Sequence, residues 1–226
     1  MNPKNTRREK ATIDTARENP AELYDKDYYS NGCTTGGYDQ YGRHPNWLNF
    51  FGRIARTIKR RYAPRTAVDV GCAYGLLVES LCDIGIDAYG YDVSPYAISN
   101  ARQDMVERLK VHSILDPIPL RNGQKYELAI CIEVLEHIPP EQADQALDNL
   151  CNASDMILFS SSPDDFDEPT HFNVLPIAEW QRLFALRGFS PIADSKASFV
   201  APQAFVVSRG GKSLGWFERM KRRLFG

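Results

Sequence analysis

From Pro64 onward the chain alternates short apolar runs with longer stretches of helical periodicity, and that alternation permits few folds. Short β-rich runs separated by helical segments are the pattern of a parallel sheet wrapped by helices on both faces. The runs predict strands at 67–70, 88–91, 110–113, 128–132, 156–160, 189–194 and 204–207. Between them, a helix is expected from Leu76 to the stop at Gly85, and another after Ser94-Pro95, where an N-cap precedes proline at the first helical position. Ala143, Ala146, Leu147 and Leu150 recur at helical spacing, and a further helix over 176–186 ends at Gly188.

Ahead of this region, Trp47, Phe50, Phe51, Ile54, Ala55, Ile58 and Tyr62 follow a 3.6-residue period, which predicts an amphipathic helix with a solvated basic face. The chain divides accordingly into a polar arm over 1–20, a tyrosine- and glycine-rich lid with that helix over 21–63, the α/β domain over 64–209 and a basic tail over 210–226. In the tail, "GGKSLGWFERMKRRLFG" places Leu214, Phe217, Lys221 and Leu224 on one helical face. Such a helix suits either peripheral contact with an anionic membrane surface or docking on protein.

Two functional classes are disfavoured by composition. A net charge of -2 gives no global attraction to nucleic acid, so none is expected as a partner. Five cysteines without a C-x-x-C pair fit neither a disulfide framework nor a thiolate zinc site, and buried reduced thiols are expected. With no apolar run that could serve as a signal or span, the expected location is cytoplasmic, extending to the inner membrane surface if the tail binds there.

The chemistry gathers at three places. "VDVGCAYG" reads as a strand ending at Gly71 and a helix resuming after Gly75, a turn that lets a ligand approach bare backbone amides. Ala73 fills the middle position of the G-x-G-x-x-G pattern that a dinucleotide pyrophosphate needs, which disfavours a nicotinamide oxidoreductase. Asp92, in "YGYDVS", follows Gly71 by 21 residues, a separation suited to a carboxylate accepting from ribose hydroxyls. In "CIEVLEHIPP" a buried strand runs out at Glu133, and Glu136 and His137 follow at the carboxyl edge of the sheet, facing the same crevice.

Together these segments resemble the class I S-adenosylmethionine-dependent methyltransferases, in particular the subgroup of ubiquinone-type and sugar-tailoring enzymes. The resemblance implies a Rossmann-like α/β fold: a seven-stranded, mostly parallel sheet with helices on both faces and an antiparallel last strand. It implies S-adenosylmethionine as cofactor, with Asp69 near the methionine ammonium and the turn of Gly71, Cys72, Ala73, Tyr74 and Gly75 along the methionine portion. Asp92 would hold the ribose, Val93 would pack beside the adenine, Ser113 and Ile114 would lie near the adenine amino group, and Glu133 would border the donor. Ser113 stands where the family often has an acidic residue, so its hydroxyl or a backbone carbonyl takes the expected contact.

Methyl transfer from a sulfonium needs alignment, and a base where the acceptor must lose a proton. His137 and His171, the second in the loop "SSPDDFDEPTHFNVLP", are the candidate bases. The expected reaction is O-methylation of a small-molecule or glycan-type acceptor, lipid-linked if the tail binds membrane. No metal is expected. Glu133, Glu136, His137 and His171 nonetheless resemble the ligand set of the small-RNA 2'-O-methyltransferases, which leaves a metal-dependent RNA enzyme as an alternative. A nicotinamide oxidoreductase and a non-catalytic nucleoside-binding subunit are the others; the oligomeric state and the acceptor are not legible.

Overall fold

The computed structural model describes residues 18–30 and 41–210. Most of the expected N-terminal arm, Cys33 and the basic tail beyond residue 210 lie outside the described residues. Two short helices, α1 (Pro20–Leu23) and α2 (Lys26–Ser30), come first. They are followed by α3 (Pro45–Arg61), which buries Ile54, Ala55 and Ile58 and ends in Lys59, Arg60 and Arg61. Cations in a last turn suit the negative end of the helix dipole.

The α/β unit then runs β1 (Thr66–Val70), α4 (Leu76–Asp83), β2 (Asp87–Asp92), α5 (Pro95–Ser99), β3 (Leu109–Val111), β4 (Leu128–Ile132), α6 (Pro140–Ala153), β5 (Met156–Ser160), α7 (Ile177–Ala185), β6 (Phe189–Lys196) and β7 (Phe205–Arg209). Seven strands form one sheet in the order β3-β2-β1-β4-β5-β7-β6. β1 pairs in parallel with β2 and β4, and β4 pairs in parallel with β5. β7 is antiparallel to both β5 and β6, as expected for the last strand. The third strand is shorter than its sequence suggested: it ends at Val111, and Ser113 lies in the turn beyond it. The helix around Ala143–Leu150 is longer, because Pro140 at its first position starts it a turn earlier.

Strand side chains divide between two cores with a period of two. In β4, Leu128 and Ile130 enter the core beneath α3 and α4, while Ala129 and Cys131 enter the one beneath α6 and α7. Met156 and Leu158 of β5 join the first core, and Ile157 and Phe159 the second. Burial on both faces explains why these strands read as continuous apolar runs. Phe159 anchors the second core, its ring 5.3 Å from Trp180 and 5.1 Å from Phe184. Cys72, Cys131 and Cys151 are buried free thiols, as expected, and Cys82 is half-buried.

The chain order reverses between β1 and β4: from β1 it moves outward through β2 to β3, then returns to the other side of β1. At such a switch point the loops after two adjacent strands diverge and leave a crevice.

Candidate active site

A cleft of about 1130 Å³ occupies that crevice. Gly71, Ala73, Asp92, Val93, Ser113, Ile114 and Glu133 line it on the sheet side, and His137 and His171 stand farther along. Tyr24, Tyr28, Trp47, Phe50 and Phe51 from the N-terminal segment form an aromatic wall along the cleft.

The turn after β1 is built by backbone geometry. Gly71 has φ 80 and Gly75 φ 68. A Cβ on Gly71 would come within 2.2 Å of Val134 Cγ2, and one on Gly75 within 2.5 Å of Leu109 Cδ1. Both glycines are therefore demanded by conformation and by packing against protein, whatever lies in the cleft. Ala73, with φ 46, holds a left-handed conformation that a side chain disfavours. Its amide donates to Asp92 Oδ2 at 2.7 Å, and the Ser94 amide donates to Oδ1 at 2.8 Å. The alanine that broke the dinucleotide pattern is thus the residue that aims the acid at the end of β2.

Asp69 and Asp92 are both buried. Burial, then the charge of Asp92, pushes the Asp69 carboxyl up to about 7. Burial also raises Asp92, against the two amide hydrogen bonds that favour its ionised form. No ion pair to either carboxylate occurs among the described residues. Each Asp92 oxygen keeps a lone pair after its amide bond.

Four residues expected at the donor end do not line the main cleft itself. Tyr74 packs in an aromatic cluster, its ring 4.9 Å from Tyr29 and 6.3 Å from Tyr96. Gly75 lies behind it against Leu109. Asp69 and Cys72 do not line the main cleft but a small recess that shares Gly71 and Ile132 with it.

Glu136 is corrected too. It is fully buried and faces inward, because Ser161 Oγ and the Ser162 amide donate to its carboxylate at 3.1 Å each. Burial and the charge of Glu133 push its carboxyl well above the ordinary range. Its carbonyl accepts the amides of Phe172 at 2.7 Å and Asn173 at 2.9 Å. Glu136 therefore pins the loop after β5 to the turn Leu135–His137, which carries His171 to His137. Nothing in the spacing of Ser161 and Ser162 announces this, since their partner lies 25 and 26 residues away.

The two histidine rings meet at 4.6 Å between centroids. His137 Nδ1 lies 3.2 Å from the Thr170 carbonyl, and His171 Nδ1 lies 2.9 Å from that of Asp165. Burial, then the neighbouring His171, lowers His137 to about 3, so it is neutral at physiological pH. Glu136, His137 and His171 each bring one ligand atom to within 4.8 Å of the others, an oxygen and imidazole set suited to a divalent cation. Glu133 is not in that group. Its carboxylate accepts from Ser160 Oγ and, at 3.0 Å, from Gln203 Nε2, and its backbone is left-handed with φ 51.

A switch-point cleft with a pinned acid after β2 and a histidine pair beyond β4 defines a nucleoside-type site on a Rossmann-like sheet. A model of the methyltransferase domain matches residues 47–193, and the chain belongs to that family, with the fold of the class I S-adenosylmethionine-dependent methyltransferases. A ubiquinone biosynthesis O-methyltransferase of Acinetobacter baumannii is 30% identical over 105 residues. That match covers 44% of this chain and 44% of the relative, so the chain matches less than half the relative's length. The magnesium protoporphyrin IX methyltransferase of Synechocystis PCC 6803, solved with bound SAH, superposes with a TM-score of 0.60 at 16% identity, over 84% of this chain and 98% of that one. An amino pentose methyltransferase from Micromonospora echinaspora, solved with bound SAM, gives a TM-score of 0.57 at 14% identity, over 74% and 93%. At these identities the two structures speak to the fold. No described helix is long and apolar enough to cross a membrane.

Proposed function

We propose that the chain transfers the methyl group of S-adenosylmethionine to a hydroxyl oxygen of a small-molecule or glycan-type acceptor. The carrying observation is the His137–His171 ring pair, with His137 neutral, set in the same cleft as Asp92 and Gly71. The donor fits the residues present. Its cationic ammonium and sulfonium would stand against the acidic end formed by Asp69 and Asp92, and its ribose hydroxyls would donate to the remaining lone pairs of Asp92. Val93, Ser113 and Ile114 would border the adenine. Bound S-adenosylmethionine supplies an activated methyl group, and the chain supplies alignment.

On the acceptor side, the histidine pair takes the hydroxyl proton as oxygen attacks. A neutral imidazole can accept a proton, and with both Nδ1 atoms against carbonyls the Nε2 atoms are the ones free to do so. The aromatic wall of Tyr24, Tyr28, Trp47 and Phe50 shields the reacting groups and suits a ring or apolar body. The O-methyltransferase relatives support oxygen as the target.

Incubation of the protein with radiolabelled donor and a panel of phenols, catechols, hydroxylated sugars and amino sugars tests the reading. Label in hydroxyl compounds is expected, and label confined to amines would overturn it. A second reading, a metal-dependent enzyme acting on RNA 2'-hydroxyls, draws on the Glu136, His137 and His171 cluster. It requires that a chelator abolish transfer to RNA and that manganese restore it.

A further inference from the structure

The two ring nitrogens of His137 have different surroundings. Nδ1 faces Thr170 twice, at 3.2 Å from its carbonyl oxygen and 3.1 Å from Oγ1. A carbonyl only accepts, so that contact is a hydrogen bond only if Nδ1 carries the proton. A hydroxyl is ambiguous: it could accept from Nδ1–H, or donate to a bare Nδ1 and favour the opposite tautomer. Glu168 removes the ambiguity. Thr170 Oγ1 donates to Glu168 Oε1 at 2.9 Å, and the Thr170 amide leans on the same oxygen at 3.4 Å. Both residues are buried, Glu168 5% and Thr170 0% exposed. A hydroxyl has one proton, and with that proton committed to Glu168 the threonine oxygen presents only lone pairs to the histidine.

We propose that Glu168 and Thr170 are positioning residues that hold His137 as the Nδ1–H tautomer, so that Nε2 is its unprotonated nitrogen. The functional weight of this rests on the proposed role of His137 in taking the acceptor proton, but the tautomer follows from the hydrogen bonds alone. The opposite tautomer would carry a proton on Nε2 and could not accept one there. The other groups near the ring leave the assignment standing: His171 and Tyr24 meet it through ring contacts at 4.6 and 5.9 Å. Glu136 is turned to Ser161 and Ser162. Neither histidine followed by a fixed spacing nor any motif marks Glu168 and Thr170 in the sequence.

Ring-nitrogen NMR of the isotope-labelled full chain tests the proposal without knowledge of the acceptor. The unmodified protein should show His137 protonated at Nδ1 and bare at Nε2. Glu168→Ala frees the threonine proton to donate to Nδ1, so its spectrum should shift to a mixture of tautomers. Thr170→Val alone keeps the carbonyl acceptor and should retain Nδ1–H. The double variant, lacking both the carboxylate and the competing hydroxyl, should return to Nδ1–H. A general loss of structure would not be reversed by a second deletion, so this restoration separates positioning from folding. An unmodified protein protonated at Nε2, or a folded Glu168→Ala protein with an unchanged spectrum, overturns the proposal. If Glu168→Ala fails to fold, the spectrum of the unmodified protein decides. Full methyl transfer by His137→Gln would overturn the base role instead, and leave the tautomer result intact.

Discussion

His137 and His171 lie 34 residues apart in the chain, yet their rings stand edge to face with centroids 4.6 Å apart. The approach is held by Glu136, whose carboxylate and carbonyl together gather Ser161, Ser162, Phe172 and Asn173. Removing the His171 ring should therefore touch acceptor chemistry and leave the donor end undisturbed. His171→Ala is expected to lower turnover by roughly 10²–10⁴, the usual range for a lost general base. Its affinity for S-adenosylhomocysteine by calorimetry should match that of the unmodified protein; a large loss of that affinity would move His171 to the donor side.

Asp92→Ala should weaken donor binding on the order of a hundredfold or more. Hydrogen bonds to a charged group contribute about 1.5–3 kcal/mol each, and two ribose hydroxyls are at stake. The same change leaves the Ala73 and Ser94 amides without their acceptor, so the melting temperature should fall as well. Normal donor affinity in this variant would show that the cofactor is placed wrongly.

The raised carboxyl of Asp69 predicts a pH dependence with a definite sign. The folded protein holds this proton up to about pH 7, whereas the unfolded chain releases it near the ordinary 3.8. The folded state thus binds more protons between those values, and the contribution of Asp69 to stability falls as pH rises through that window. A cationic donor beside Asp69 favours the ionised form, so donor affinity should climb with pH up to about 7 and then level. One coupled proton limits the slope to about tenfold per pH unit. Calorimetric titrations at several pH values check this, and Asp69→Asn should flatten the profile.

Gly71→Ala is expected to destabilise the fold severely. The left-handed backbone costs roughly 1–2 kcal/mol for a residue with a Cβ, and the new methyl would overlap Val134, adding about 1–3 kcal/mol. For a chain of this size that corresponds to a fall of about 10 °C in melting temperature. Adding Val134→Ala should recover the steric share and leave the backbone share in place. A single variant that melts with the unmodified protein would refute the packing account of this glycine.

How far the sequence alone could be read varies with the range of the interaction involved. The strands of the parallel sheet were legible because residues such as Leu128 to Cys131 are buried on both faces, which writes an unbroken apolar run into the chain. Asp92 was legible through its distance from Gly71, since a strand-turn-helix-strand unit has a nearly constant length. The third strand was misjudged at its end, where Ser113 sits in a turn that no periodicity marks. The orientations of Tyr74 and Glu136 are not legible for another reason. Motif position tells where a residue lies along the chain, and only the packing of Tyr29, Tyr96, Ser161 and Ser162 tells which way its side chain turns.

The amino-acid sequence by itself determined the layered α/β fold, the turn at Gly71 to Gly75 and the acid at Asp92, because each follows from local periodicity or a short connection. Tertiary structure alone decided that Ala73 aims Asp92, that Glu136 leaves the cleft to clamp a loop, and that Thr170 meets His137. Those outcomes depend on hydrogen bonds between segments 19 to 33 residues apart, and their partners become neighbours only once the sheet has brought the strand ends to one edge.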